Sequence, residues 1–155
     1  MPEFERERRK FQPERVTTLF IGESPPHGGT FFYNEDSVLY RAMKEAFGHE
    51  EDFLAEFKAK GFFLDDLVHE PVNQLQDRFR NQMRLNAVCE LAIRMAEYQP
   101  SAVVALMCAI EPMVSQAMCN ANLSVPLYVT AFPGRYHRKR FIEEMSEIIS
   151  KLPQL

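Results

Sequence analysis

Short apolar runs alternate along the chain with longer segments in which apolar residues recur at intervals of three and four. The short runs are rich in β-branched and aromatic residues, which is typical of buried strands in a parallel sheet; they span residues 16–21, 61–67, 101–107 and 126–132. The segments with helical spacing predict helices in residues 37–47, 50–60, 79–98, 110–118 and 141–152. The alternation predicts an α/β fold: a three-layer α/β/α arrangement around a central parallel sheet of about four strands.

The length and charge of the chain limit its class. At 155 residues, it suits one compact domain with a single core. We predict that residues 16–155 form this domain and that residues 1–15, where acidic and basic side chains are interleaved, form a charged N-terminal arm. Such an arm is usually solvated, and a transient binding tail is the alternative. The formal net charge of −4 argues against a histone-like or ribosomal protein but leaves room for a local basic patch.

Cysteines and apolar segments indicate the compartment. The three cysteines, Cys89, Cys108 and Cys119, include no C-x-x-C pair, so we interpret them as buried thiols of a reducing compartment. The first residues lack the apolar run of a secretory signal, and no later apolar window reaches the length of a membrane span. The four histidines are scattered, without the spacing of metal ligands on a helix. The sequence therefore predicts a cytoplasmic protein without a membrane segment, a metal or another cofactor.

The loop after the first predicted strand is a candidate site, because ligands of parallel sheets bind beyond the carboxyl ends of the strands. This loop reads GESPPHGGTFFY and spans residues 22–33. It comes close to the G-x-S-x-G elbow of serine hydrolases, but Pro26 replaces the second glycine and Pro25 lacks the backbone N–H that would complete the oxyanion hole. The spacing of a nucleotide-binding glycine loop is also absent. Two prolines instead form a rigid wall before two glycines and three aromatic residues.

The aromatic residues after the glycines are Phe31, Phe32 and Tyr33. Rings at the end of a strand are typical of a surface on which a planar ligand such as a nucleobase stacks. The alternative is that one or two of them pack under the loop. For any single ring, both interpretations stay open.

A basic cluster follows the fourth predicted strand. The sequence Phe132-Pro133-Gly134 leads into Arg135, and three further cations, Arg138, Lys139 and Arg140, lie at the start of the next helix. Cations are unfavourable at a helix N-terminus, where the helix dipole prefers acids. A phosphate that shares the site would explain them, and a solvated basic face is the alternative.

Together these segments resemble the uracil-DNA glycosylase superfamily. The resemblance lies in GESPP after a strand, GGTFFY before a helix, FFLDDL with EPVN downstream, PSAVVALM before a helix, and VPLYVTAFPGRYHR. Their order and spacing match from about residue 16 to residue 150. GESPP is similar to the G-E-A-P-G form of the first motif in the iron–sulfur branch, and FPGRYHR lies where members carry H-P-S followed by a basic residue.

The resemblance implies a site residue by residue. The first-motif loop, residues 22–25, would line a pocket beside the sugar and base, and Phe31 or Phe32 would stack on an extruded base. Asp65 would lie where many members use an asparagine to read the edge of uracil, and residues 132–135 would press on the DNA backbone. The candidate base- or nucleic-acid-binding residues are Gly22, Pro25, Phe31, Phe32, Tyr33, Asp65, Phe132, Pro133, Gly134, Arg135 and His137.

The implied activity is hydrolysis of the N-glycosidic bond of a damaged base after base flipping. Such chemistry needs negative charge beside an oxocarbenium-like sugar and a positioned water. Glu23 would supply the charge and hold the water if its side chain faces the pocket; the alternative is that it points to solvent or caps local N–H groups. Ser24 lies at the position of an activating aspartate in the best-known members. Glu23 and Ser24 are therefore the candidate catalytic residues.

A second hypothesis is a catalytically inactive member of the same fold that acts as a ligand-binding or protein-interaction module. Phe132 favours it, because this residue takes the place of the histidine that donates to the leaving base in many members. The basic cluster and the loop of residues 22–33 favour the glycosylase-like interpretation, with DNA or a nucleobase-containing ligand as the partner. The iron–sulfur branch uses four cysteines, and this chain has three, so no cluster is predicted.

Overall fold

The computed structural model describes residues 3–49 and 51–155 of the chain. In these ranges, four parallel strands form one sheet in the order β2-β1-β3-β4. Each strand overlaps one of the predicted apolar runs: β1 is Thr18–Gly22, β2 is Phe62–Asp66, β3 is Ala102–Ala105 and β4 is Leu127–Val129. The α/β class and the parallel sheet of about four strands are confirmed.

Helices connect the strands. Within the same described ranges there are seven α-helices: α1 (Glu3–Lys10), α2 (Val38–Ala46), α3 (Phe53–Ala59), α4 (Asp77–Asn86), α5 (Val88–Tyr98), α6 (Glu111–Asn120) and α7 (Arg138–Ile149). Residue 50, the first position of the predicted helix 50–60, lies outside the described residues. Of the helices described, none is both long and apolar enough to cross a membrane.

The helices cover both faces of the sheet. Successive residues of a strand point to opposite faces, and β2 shows both environments. The ring of Phe62 contacts Phe57 of α3, whereas the ring of Phe63 contacts Tyr98 of α5. In addition, α2 packs on α7, and α5 packs on α6. This arrangement is consistent with three layers, helix, sheet and helix.

The predicted helix 79–98 is two helices in the structure, α4 and α5, which meet at Ala87. The predicted apolar stripe steps five positions from Met83 to Val88, so it cannot continue along one helix face. On α5, residues such as Leu91 are fully buried, whereas every residue of α4 is at least partly exposed. Ion pairs of Arg80 and Arg84 with Glu23, together with the partly buried Met83, therefore hold α4 to the domain.

The N-terminal segment differs from the predicted solvated arm. Residues 1 and 2 lie outside the described residues, and the following segment forms α1, whose Arg8 side chain is only 1% exposed. Arg8 donates to Asp66 at 2.6 Å, and the ring of Phe11 stacks on Tyr33 with 5.1 Å between the ring centroids. The inward side of α1 carries a cation that pairs with a buried carboxylate. A segment with interleaved acidic and basic residues therefore forms a helix that packs on the domain.

The prediction of buried thiols was wrong, because Cys89, Cys108 and Cys119 are all exposed. Cys89 lies beside the buried Val88 on α5, and Cys119 lies beside the buried Met118 on α6. In each case the apolar neighbour faces the core, and the cysteine takes the next, outward position on the helix. Helical register, rather than residue type, decides the exposure of these two side chains.

Candidate functional site

A pocket of about 310 Å³ opens beyond the carboxyl ends of β1 and β2. The strand order changes direction between β1 and β3, where a crevice commonly forms, and Met107, which follows β3, also lines the pocket. The pocket is lined by Gly22, Glu23, Ser24, Pro25, Pro26, Thr30, Phe31, Phe32, Ser37, Val38, Leu39, Leu64, Asp66, Asn73, Arg80, Met107 and Phe132. Most of these surfaces are apolar, and a few polar groups lie among them, as is typical of small-molecule sites.

A second, wider groove of about 1000 Å³ lies between α1 and α5. Its walls include Arg9, Glu14, Glu90, Arg94 and Glu97. It is open and polar, and it shares no lining residue with the smaller pocket. The smaller pocket is therefore the better candidate for a ligand site.

Gly22 leaves room at the pocket for the carboxyl group of Asp66, its pairing partner on β2. A Cβ atom on Gly22 would lie 2.6 Å from Oδ1 of Asp66, a distance that no side chain tolerates without displacement. Oδ2 of Asp66 accepts from Arg8 at 2.6 Å. Burial raises the pKa of Asp66, against the opposing attraction of Arg8. Asp66 therefore presents a carboxyl group to the pocket from the end of β2.

Glu23 lies in the pocket wall with two arginines of α4 bound to its carboxylate. Nε of Arg80 donates to Oε2 at 2.7 Å, and a second nitrogen of Arg80 donates to Oε1. Nε of Arg84 donates to Oε2 at 2.6 Å. Burial by itself would raise the pKa of Glu23, but the hydrogen bonds from the two arginines outweigh it and keep the pKa below its usual value. Glu23 is therefore an ionised, almost fully coordinated carboxylate.

Ser24 joins two loops that form the pocket. Its Oγ accepts from the backbone N–H of Val72 at 3.3 Å. Nearby, the backbone N–H of His27 donates to Oδ1 of Asn73 at 2.9 Å. Through these contacts the loop after β1 is fastened to the loop after β2. The position of Ser24 fits a residue that shapes the pocket.

The three aromatic residues of the first loop take different positions. Phe31 and Phe32 both line the pocket and are otherwise buried. Phe31 packs between Phe4 and the Arg8 guanidinium, which lie 4.8 and 5.2 Å from its ring centroid. Tyr33 lies outside the pocket lining and is buried at the sheet edge. Two rings can thus contact a ligand, and the third is part of the core.

The structure places Asp65 outside the pocket, on the opposite face of the sheet from Asp66. Its carboxylate accepts from Arg94 at 2.8 Å and contacts His69 at 2.9 Å and Tyr98 at 3.3 Å. Burial raises its pKa, but the hydrogen bond from His69 and the charges of the neighbouring arginines outweigh this and hold the pKa far below its usual range. Asp65 is thus a buried anion that connects β2 to α5.

The last loop contributes one residue to the pocket. Phe132 lines it and is 38% exposed, so its ring is accessible at the rim. Pro133 is buried next to it, whereas Gly134 is half-buried and Arg135 and His137 are exposed outside the lining. In the basic cluster, three of the four cations pair with acidic side chains of the same chain: Arg138 with Glu45, Lys139 with Glu143 and Arg140 with Glu144.

Of the sequence-predicted site residues, the structure thus brings together those of residues 22–25, Phe31, Phe32 and Phe132. The pocket also contains Asp66 and Arg80, which the sequence analysis did not identify. For Arg80 a signal exists: Arg80 and Arg84 are four positions apart, so they lie on one side of a helix. Their common partner Glu23 is more than fifty residues away, and helical spacing carries no information about such a contact.

The variant Glu23→Gln is expected to remove part of the acid sensitivity of the fold. The folded-state pKa of Glu23 lies below its ordinary value of 4.5. Its ion pairs therefore contribute their full stabilisation of the folded state above about pH 4.5. This stabilisation is lost as the pH falls through the folded-state pKa. The difference in unfolding free energy between wild type and variant should shrink from about pH 5 to about pH 3 in urea titrations. Glu143→Gln, on the exposed side of α7, is the control, and a pH-independent difference for Glu23→Gln would contradict the expectation.

These features define an α/β protein with a largely apolar ligand pocket at the carboxyl edge of a parallel sheet. Comparison with models of known protein families and with curated proteins finds no match for this chain. In the ranges 3–49 and 51–155, no three His, Cys, Asp or Glu side chains come together as ligands for a metal ion.

Proposed function

We propose that this chain is a uracil-DNA glycosylase-like domain that binds a nucleobase, free or within a nucleic acid, in the pocket between the loops after β1 and β2. The observation that carries the proposal is that the first-motif loop, both rings Phe31 and Phe32 and the last-loop residue Phe132 line one pocket. Aromatic rings and prolines offer apolar surfaces to a planar heterocycle. Asp66 and Asn73 add polar groups that suit the edge of a base.

Hydrolysis of the N-glycosidic bond is a second candidate function, and the charge of Glu23 favours it. An ionised carboxylate in the pocket wall would stabilise an oxocarbenium-like sugar. However, two guanidinium groups already bind this carboxylate, and they weaken both its field and its basicity. Base binding without cleavage is therefore the function that we put first.

Replacement of Phe132 by alanine is expected to weaken base binding about tenfold, because one stacking contact is lost. Isothermal titration calorimetry measures the affinity of wild type and variant for single-stranded oligonucleotides that each contain one uracil, hypoxanthine or xanthine. Tyr136→Ala is the matched control, since Tyr136 lies in the same loop but is 84% exposed and outside the pocket lining. Equal losses in the two variants, or binding to an oligonucleotide with an abasic site at that position as tight as to the base, would contradict base binding in this pocket.

A glycosylase assay distinguishes the two candidate functions. The same oligonucleotides, and duplexes with uracil or mismatched thymine, are incubated with wild type and with Glu23→Gln. Cleavage that is lost in Glu23→Gln supports hydrolysis. Binding without cleavage in wild type supports a binding module.

A further inference from the structure

The two arginines bound to Glu23 each keep part of their hydrogen-bonding capacity. A guanidinium carries five N–H donors, which form two forks suited to planar or tetrahedral anions. Arg80 uses one fork, Nε and Nη2, on Glu23. Among the residues that the structure describes, its Nη1 atom has no acceptor. The second fork of Arg80 is therefore open, and Arg80 is part of the pocket wall.

The charges around Glu23 do not balance. The carboxylate of Glu23 is shared by two guanidinium groups, whose side chains are only 23% and 13% exposed. The other carboxyl group of the pocket lining, that of Asp66, already accepts from Arg8 and so does not compensate them. Asp77, one turn earlier on α4, acts on Arg80 through its charge but is itself exposed to solvent. A partly buried excess of positive charge is costly unless an anion compensates it. Arg80 thus has both free N–H donors and a share of the uncompensated positive charge.

Other polar groups of the pocket support the same location. Asn73 also lines the pocket, and because its Oδ1 accepts from the backbone N–H of His27, its amide NH₂ is left as a donor. The cavity of about 310 Å³ falls at the lower end of the range for small-molecule sites, about 300–1,000 Å³. The pocket thus combines apolar walls for a ring with cationic and amide donors for an anionic group.

We propose that Arg80, oriented by Glu23, binds a phosphate group of the nucleotide whose base occupies the pocket. The inference rests on the proposed function and adds the phosphate as a recognised group. Glu23 then acts as a positioning residue: its carboxylate binds Nε and Nη2 of Arg80, which fixes the guanidinium plane and leaves the second fork for the phosphate. Arg84 holds the same carboxylate. The phosphate belongs either to a free mononucleotide or to a nucleic-acid backbone.

The test compares ligands with and without a phosphate. Wild type is titrated with uridine, inosine and xanthosine, each as the nucleoside and as the 5′-monophosphate, and with a uracil-containing trinucleotide. We expect at least one monophosphate, or the trinucleotide, to bind about tenfold more tightly than the matching nucleoside. In Arg80→Gln this difference in affinity should disappear, because the phosphorylated ligand loses more affinity than the nucleoside does. If Arg80→Gln weakens the binding of a monophosphate, the ligand is a free nucleotide. If it weakens only the binding of the trinucleotide, the phosphate belongs to a nucleic-acid backbone.

Arg78→Gln is the matched control. Arg78 lies on the same helix and is exposed, with its guanidinium 5.2 Å from the ring centroid of Phe79. This variant should keep the difference in affinity between nucleotide and nucleoside. If Arg80→Gln does not fold, Arg80→Lys is used instead. It keeps the charge but not the paired N–H donors, so most of the difference in affinity between nucleotide and nucleoside should disappear.

Two outcomes would overturn the inference, and they differ in what they say about the proposed function. Nucleosides that bind as tightly as the phosphorylated ligands, with no effect of Arg80→Gln on any ligand, would refute the phosphate contact and leave base binding intact. No binding of any nucleoside, nucleotide or trinucleotide would refute both.

Discussion

Replacing Arg8 by methionine is expected to lower the free energy of unfolding by about 3–5 kcal/mol. Arg8 donates to Asp66 and lies 3.4 Å from Asp65, so its guanidinium neutralises two adjacent buried carboxylates. Methionine fills much of the same volume but leaves the carboxyl group of Asp66 without a partner in a medium that solvates charge poorly. Asp65 keeps Arg94 and His69. Removing one partner of a buried ion pair costs more than the pair itself contributes.

Urea denaturation at neutral pH measures this loss. Arg9→Met is the control, because Arg9 is the exposed neighbour on α1 and its replacement should change the unfolding free energy by less than about 0.5 kcal/mol. Addition of Asp66→Asn to Arg8→Met should recover part of the loss, since it removes the uncompensated charge. Equal effects of Arg8→Met and Arg9→Met would show that Arg8 does not carry this role.

The variant Tyr33→Phe is expected to cost about 2–4 kcal/mol of unfolding free energy. The Tyr33 hydroxyl donates to the carbonyl oxygen of Leu64 at 2.9 Å and accepts from the Leu64 N–H at 2.7 Å. Leu64 lies in β2, an edge strand, so these backbone groups face away from β1. Phenylalanine leaves a buried donor and a buried acceptor without partners, and each costs about 1–3 kcal/mol.

Tyr40→Phe provides a matched comparison for Tyr33→Phe. The Tyr40 hydroxyl contacts only the side chain of Glu35, at 3.1 Å, and Glu35 is exposed, so water can replace this hydrogen bond. Its loss should change the unfolding free energy by about 1 kcal/mol or less. Thermal or urea unfolding of both variants measures the contrast, and a cost for Tyr33→Phe no greater than that for Tyr40→Phe would contradict the edge-capping role.

The strands β1, β2 and β3 were predictable because they are buried on both faces, and the half-buried β4 also coincides with an apolar run. All five residues of β1 and of β2 are buried, and a short apolar run between polar segments indicates such a strand directly. The five-residue step from Met83 to Val88 marks the split at Ala87 in the sequence. The attachment of α1 and α4 was not predicted, because it depends in part on arginine–carboxylate contacts that a hydrophobic pattern does not record.

The pocket was predictable only in part. Ligands of parallel sheets bind beyond the carboxyl ends of the strands, which indicates the loop after β1. Phe31, Phe32 and Phe132 do line one pocket there. The sequence has two adjacent acids at the end of β2, and a shift of one residue in a strand exchanges the faces. The resemblance indicates Asp65, whereas the register of β2 turns Asp66 toward the pocket. Only the pairing of the strands decides between them.

The contacts of Arg8 link the pocket to the first helix of the chain. Asp66 presents a carboxyl group to the pocket, and the same carboxyl group accepts from Arg8 of α1. We therefore expect a ligand that changes the charge or position of Asp66 to change how stably α1 packs on the domain. By thermodynamic reciprocity, the packing of α1 would then alter the affinity for that ligand by the same free energy. On this expectation, one carboxyl group couples α1 to occupancy of the pocket.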